Sequence, residues 1–127
     1  MAVAVQEATT SVDFVTEAVV LNHQARVEPS VEMTLAELVE TPKELGAVRA
    51  VVASHAHTVE VVLDAESPIH ALAEVAWGLD SENLHLNVLV SLDRLGEAHG
   101  ELRGTPCTLQ GWWFEDESVH FTGYERP

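Results

Sequence analysis

His55 and His57 stand two residues apart, a spacing that turns both imidazoles to one side of an extended strand, where two ring nitrogens can reach one metal ion. A metal centre needs further ligands. The sequence offers His70 with Glu74, one turn apart on an expected helix, or His85 on an expected strand. On that reading His55, His57 and His70 form the metal set. The competing reading leaves His55 and His57 in a solvated hairpin loop. His85 and Asp93 share the parity of one strand as an acid–base pair, yet eight residues of extended chain hold them about 26 Å apart. Ser54 lacks a nucleophile elbow. Cys107, the one cysteine, has no local motif that would mark it as a nucleophile and reads as a buried thiol. Gly96, Gly100 and Gly104 are evenly spaced but do not form a phosphate-cradling loop that opens a helix. No cofactor is expected, and the chain reads as more binding protein than enzyme.

Aromatic residues give a second kind of chemistry, that of contact. Trp112, Trp113 and Phe114 run together, and strand alternation turns Trp113 away from the side shared by Trp112 and Phe114. Large rings with a polar handle suit a subunit contact or a ligand pocket, so Trp113 with His120, and Trp77 beside His70 and Glu74, join Trp112 and His85 as interface or ligand candidates.

Charge narrows the partners. Twenty-one acidic residues stand against six basic ones in 127 residues, a net charge of −15, and Lys43 is the only lysine. Binding to nucleic-acid phosphates or an anionic membrane surface needs clustered Lys and Arg, so neither partner is expected. The acids are spread from Glu7 to Glu125, the pattern of a solvated shell rather than a disordered tail. With a single cysteine there is no internal disulfide, and no apolar run approaches the roughly 20 residues that cross a bilayer. A cytoplasmic protein is expected.

The elements follow from spacing. Residues 1–11 read as a loosely ordered leader and 12–127 as one domain. Over 12–27 two periodicities compete: Val12, Val15 and Val19 are spaced as on a helix, whereas Phe14, Thr16, Ala18 and Val20 alternate. The density of β-branched residues tips this stretch to a strand. Thr34 and Glu37 make a capping pair for a helix that Pro42 keeps short or kinked. The runs 48–54 and 58–64 form a hairpin, and Ser67-Pro68 starts a second helix carrying Ile69, Leu72, Ala73, Ala76 and Leu79. Residues 84–95 alternate as a strand with one buried face, 96–104 connect, and 105–114 with 118–124 make a C-terminal hairpin around Glu115-Asp116-Glu117.

This order predicts an α+β fold: a ferredoxin-like βαββαβ antiparallel sheet with two helices on one face, plus the hairpin. If 12–27 is helical, the order is closer to a roadblock or profilin-like sandwich. Element order carries no function with it. The leading functional expectation is a small acidic interaction module, a homodimer meeting through the C-terminal hairpin or a sheet edge, with a protein or small-molecule partner. The alternatives are a small ferredoxin-like-barrel enzyme using His85 or His120 in an aromatic-lined pocket, and an anionic nucleic-acid mimic that occupies a basic protein.

Overall fold

Residues 12–25 are helix, not strand, and 26–27 are the turn that ends it. The computed structural model describes the backbone from Val3 to Pro127 and the side chains from Ser11 onward, and α1 runs Val3–Ala25. Of the leader expected over residues 1–11, Met1 and Ala2 and the side chains up to residue 10 lie outside the described residues. β-Branched density misled the strand reading, because tertiary burial outweighs intrinsic preference here. Val15 and Val19 pack against the sheet residues Val51, Val62, Leu89 and Trp112, and each such burial is worth roughly 1.5–3 kcal/mol. Thr16, also buried, donates its hydroxyl to the Val12 carbonyl at 2.7 Å, so it costs the helix no unpaired polar group.

The helix ends in a Schellman turn. Glu28 N–H bonds back to the His23 carbonyl at 2.8 Å and Val27 N–H to that of Gln24 at 3.0 Å. Val27 holds the left-handed position usually given to glycine, at φ 58°. This turn folds Glu28 back onto the last turn of α1, which matters for the site described below.

A short edge strand follows, β1 (Val31–Thr34), which the sequence reading did not foresee. Glu37 accepts from both the amide and the hydroxyl of Thr34, at 3.1 and 2.8 Å, and starts α2 (Leu35–Leu38), a single turn. β2 (Arg49–Ala53) and β3 (Thr58–Val62) are the expected hairpin, with His57 left-handed at φ 56° in its turn. Ser67 does not cap the next helix: its hydroxyl donates to Asp64 at 2.9 Å, and Pro68 precedes a 3₁₀ turn that leads into α3 (Leu72–Ser81). β4 is His85–Ser91. The expected connector at 96–104 contains a helix, α4 (Leu95–Glu101). β5 (Cys107–Glu115) and β6 (Ser118–Phe121) close the chain as the expected hairpin.

The six strands form one open sheet in sequential order β1 to β6. β1–β2–β3 is an antiparallel meander, β3, β4 and β5 are parallel, and β5–β6 is antiparallel. A ferredoxin-like sheet interleaves its strands, so that topology is not found, although the mixed α+β class is. Parallel neighbours need crossovers, and α3 and α4 provide them on one face, burying Leu72, Val75, Ala76, Leu79, Ala98 and Leu102 against Val59, Val61, Leu86, Val88 and Leu109. Helix α1 covers the other face. β4 is therefore buried on both sides rather than one, with Leu86, Val88 and Val90 under the crossovers and Asn87 and Leu89 under α1. Gly111 lets β5 approach the 92–95 segment, since a Cβ there would sit 3.0 Å from Leu92 Cδ1 and 3.3 Å from its Cα. No described helix is long and apolar enough to cross a membrane.

Candidate functional site

Two features occupy the α1 side of the sheet, one polar and one apolar. The polar one follows from the register. Glu60 on β3 lies beside Asn87 on β4, and Asn87 beside Thr108 on β5, all facing the last turn of α1. His23 there is 1% exposed, Glu60 6% and Asn87 2%. Buried polar groups must find partners, and these do. His23 Nε2 meets Glu60 Oε1 at 2.5 Å and its Nδ1 meets Glu28 Oε1 at 2.8 Å. Asn87 Nδ2 donates to Glu60 Oε2 at 3.2 Å and to Gln110 Oε1 at 2.9 Å, Thr108 donates to Asn87 Oδ1 at 2.8 Å, and His85 Nε2 joins Thr108 Oγ1 at 2.9 Å.

Arg26 completes the rim, donating from Nε to Glu28 at 3.1 Å. The hydrogen bond from His23, and after it that from Arg26, hold the Glu28 carboxyl below its ordinary range. Partial burial weakens the Arg26 guanidinium, but its hydrogen bond to Glu28 and the nearby charges of Glu28, Tyr124 and Glu60 outweigh this and raise it. An ionised Glu28 is an acceptor only, so His23 Nδ1 donates to it. A cleft of about 350 Å³ opens beside this network, bordered by Ala56, Thr58, His85, Thr108 and Tyr124 as well as the ionised groups.

The chain Glu28–His23–Glu60 has the parts of an acid–base relay. Both imidazole nitrogens are occupied by carboxylates, however, so neither is left to face a reacting group. The relay reads as a strut that ties α1 to β3.

The apolar feature runs along the middle of α1, from Ser11 to Leu21. Besides the stripe buried on the sheet, α1 carries a second one: Phe14 and Leu21 are 54% and 53% exposed, with Ala18 between them. These residues form one wall of an open groove of about 1200 Å³ whose other wall is Leu92, Trp112, Trp113, Phe114 and Val119. Leu92 and Phe114 are also about half exposed. Among the described residues, the groove's charged side chains are Glu17, Asp93 and Glu117, with no basic one.

Of the residues singled out from sequence, Trp112 is buried under α1, while Trp113, on the other side of β5, stacks on His120 with ring centres 5.5 Å apart and an interplanar angle of 18°. His85 borders the polar cleft. Trp77 lies exposed on α3, across the sheet from both features, with His70 and Glu74 exposed on the same layer. His55 and His57 are exposed in the β2–β3 turn, before the first residue of β3, whereas His70 follows the strand's far end. The structure does not bring those three together, and among the described residues no group of three or more His, Cys, Asp or Glu is placed to hold a metal ion. Cys107 is buried, and that burial pushes its thiol up despite a hydrogen bond with Thr105.

Sequence reasoning missed His23, Arg26, Glu28, Glu60 and Asn87. The signal was present. Val15, Val19 and His23 recur every four residues, and Glu60 interrupts an otherwise apolar run, but only a helix over 12–27 makes the two meet. No family model, curated protein or solved structure matches this chain.

Proposed function

We propose that the protein is a non-catalytic interaction module that pairs with a second copy of itself through the apolar groove, α1 and the β5–β6 hairpin of each copy forming the contact. The observation that carries this reading is the second apolar stripe of α1, Phe14, Ala18 and Leu21, facing the exposed Leu92 and Phe114 across an open groove. A surface helix of a monomer needs one apolar stripe, and α1 already buries one on the sheet. Ridge and groove lie side by side on one surface, the self-complementary arrangement a twofold contact requires. The occupied nitrogens of His23 favour this reading over the enzyme.

Charge gives the reading a distinctive sign. Each copy carries −15, and Glu17, Asp93 and Glu117 border the contact. Salt screens repulsion between like charges, so self-association should strengthen as salt rises. A basic partner, as the nucleic-acid-mimic reading requires, would be lost as salt rises. Sedimentation at several NaCl concentrations separates the two. Dimer mass growing with salt, and abolished by Phe14→Glu with Leu21→Glu, is the expected result. A monomer at every salt and protein concentration rejects the proposal.

A further inference from the structure

The polar cleft at the end of α1 has features that the dimer contact does not use. Thr58 borders it, and Thr58 Oγ1 is the one buried side-chain polar atom among the described residues without a hydrogen-bond partner. A buried hydroxyl left unpaired destabilises the fold unless something else satisfies it. The neighbouring strand sets the second valence. Asn87 Nδ2 donates to the Glu60 carboxylate, which fixes the amide so that its Oδ1 faces Thr108. Thr108 spends its proton on that oxygen, so it accepts from His85, and the His85 ring carries its proton on Nε2. In the neutral ring, His85 Nδ1 is then a free acceptor, and His85 is the register neighbour of Thr58.

The acidic and basic side chains of the cleft are engaged with one another in pairs, Arg26 with Glu28 and His23 with Glu60. What is left to recognise a ligand is uncharged: a hydroxyl that gives and takes, and a ring nitrogen that takes. A volume of about 350 Å³ is that of a small metabolite site. We propose that this cleft binds a small uncharged molecule whose edge both donates and accepts hydrogen bonds, with Thr58 and His85 as the specifying contacts. Planar amides and polyols share that chemistry.

The test is an amide-shift titration of the full chain by NMR with uracil, myo-inositol, acetate and tetramethylammonium. Uracil and myo-inositol separate the two neutral sources, and the ions probe charge. The expected result is saturable shifts centred on Thr58, Glu60 and His85 with at least one neutral probe. Thr58→Val should weaken that binding tenfold or more while raising the thermal midpoint of the free protein, because the orphan hydroxyl is gone. His85→Phe, at an exposed position, should weaken it without loss of fold. The proposal is overturned if neither neutral probe gives saturable shifts up to about 10 mM, a level that would reveal millimolar affinity. It is equally overturned if an ion binds more tightly than both neutral probes, or if Thr58→Val binds as the parent does.

Discussion

Replacing Glu60 by leucine tests whether the polar network holds α1 to the sheet. The substitution strands His23 Nε2, which has no other partner, and one of the two N–H groups that Asn87 donates. Breaking a buried ion pair by removing one member costs about 3–5 kcal/mol, which for a chain of this size lowers the melting midpoint by roughly 12–20 °C. His23→Leu should cost a similar amount, since it leaves the Glu60 carboxylate 6% exposed with only Asn87 as donor. The double variant is the informative one. With both groups apolar, Glu28 turns to water and one Asn87 N–H remains unpaired, so the loss should shrink to about 1–2 kcal/mol. Urea unfolding followed by circular dichroism, at one low protein concentration so that self-association does not enter, measures all four proteins. If the two single losses add in the double variant, or if each single costs less than about 1 kcal/mol, the strut argument is wrong.

Three further outcomes follow from local geometry. Val27→Gly should stabilise the protein by about 1 kcal/mol in thermal unfolding, because a β-branched residue sits in the left-handed turn that ends α1; a loss would show that the side chain matters more than the backbone strain. Gly111→Ala should cost about 1–3 kcal/mol by urea unfolding, since its Cβ meets Leu92 backbone as well as side chain; unchanged stability would mean the 92–95 segment shifts freely. Burial alone would raise Asp64, but hydrogen bonds from Glu66 and Ser67 and the charge of Arg94 outweigh it and hold its carboxyl below the ordinary value of 3.8. A lowered folded value means the stabilisation is complete above the unfolded value and disappears as pH falls through the folded one. Stability measured from pH 6 down to about 2 should therefore fall less steeply in Asp64→Asn than in the parent, and parallel curves would contradict the assignment.

Much of the sheet was legible because its signals are local. The β2–β3 hairpin, the alternation of β4 and the acidic turn between β5 and β6 each follow from a short stretch of chain, and the Thr34–Glu37 pair marks a helix start that the structure keeps. Strand order and the second covered face are not local. They depend on where α1 goes, and α1 was misread because its valines satisfy a strand preference and a helical burial pattern at once. That single misreading hid the candidate site. With one face assumed to be solvated, Glu60 and Asn87 read as surface residues and His23 as unremarkable, whereas a helix laid over that face makes all three buried and obliges them to pair. β1 and α4 escaped for another reason: four residues of strand and a glycine-containing helix carry too little periodicity to stand out.

The most direct measurement of the central claim is the molar mass of the parent protein and of the Phe14→Glu, Leu21→Glu variant by light scattering, across protein concentration and from low to high salt. The account predicts a parent that approaches twice the monomer mass as salt rises and a variant that stays monomeric throughout. A parent that is monomeric under every condition, or that dimerises less as salt is added, contradicts it.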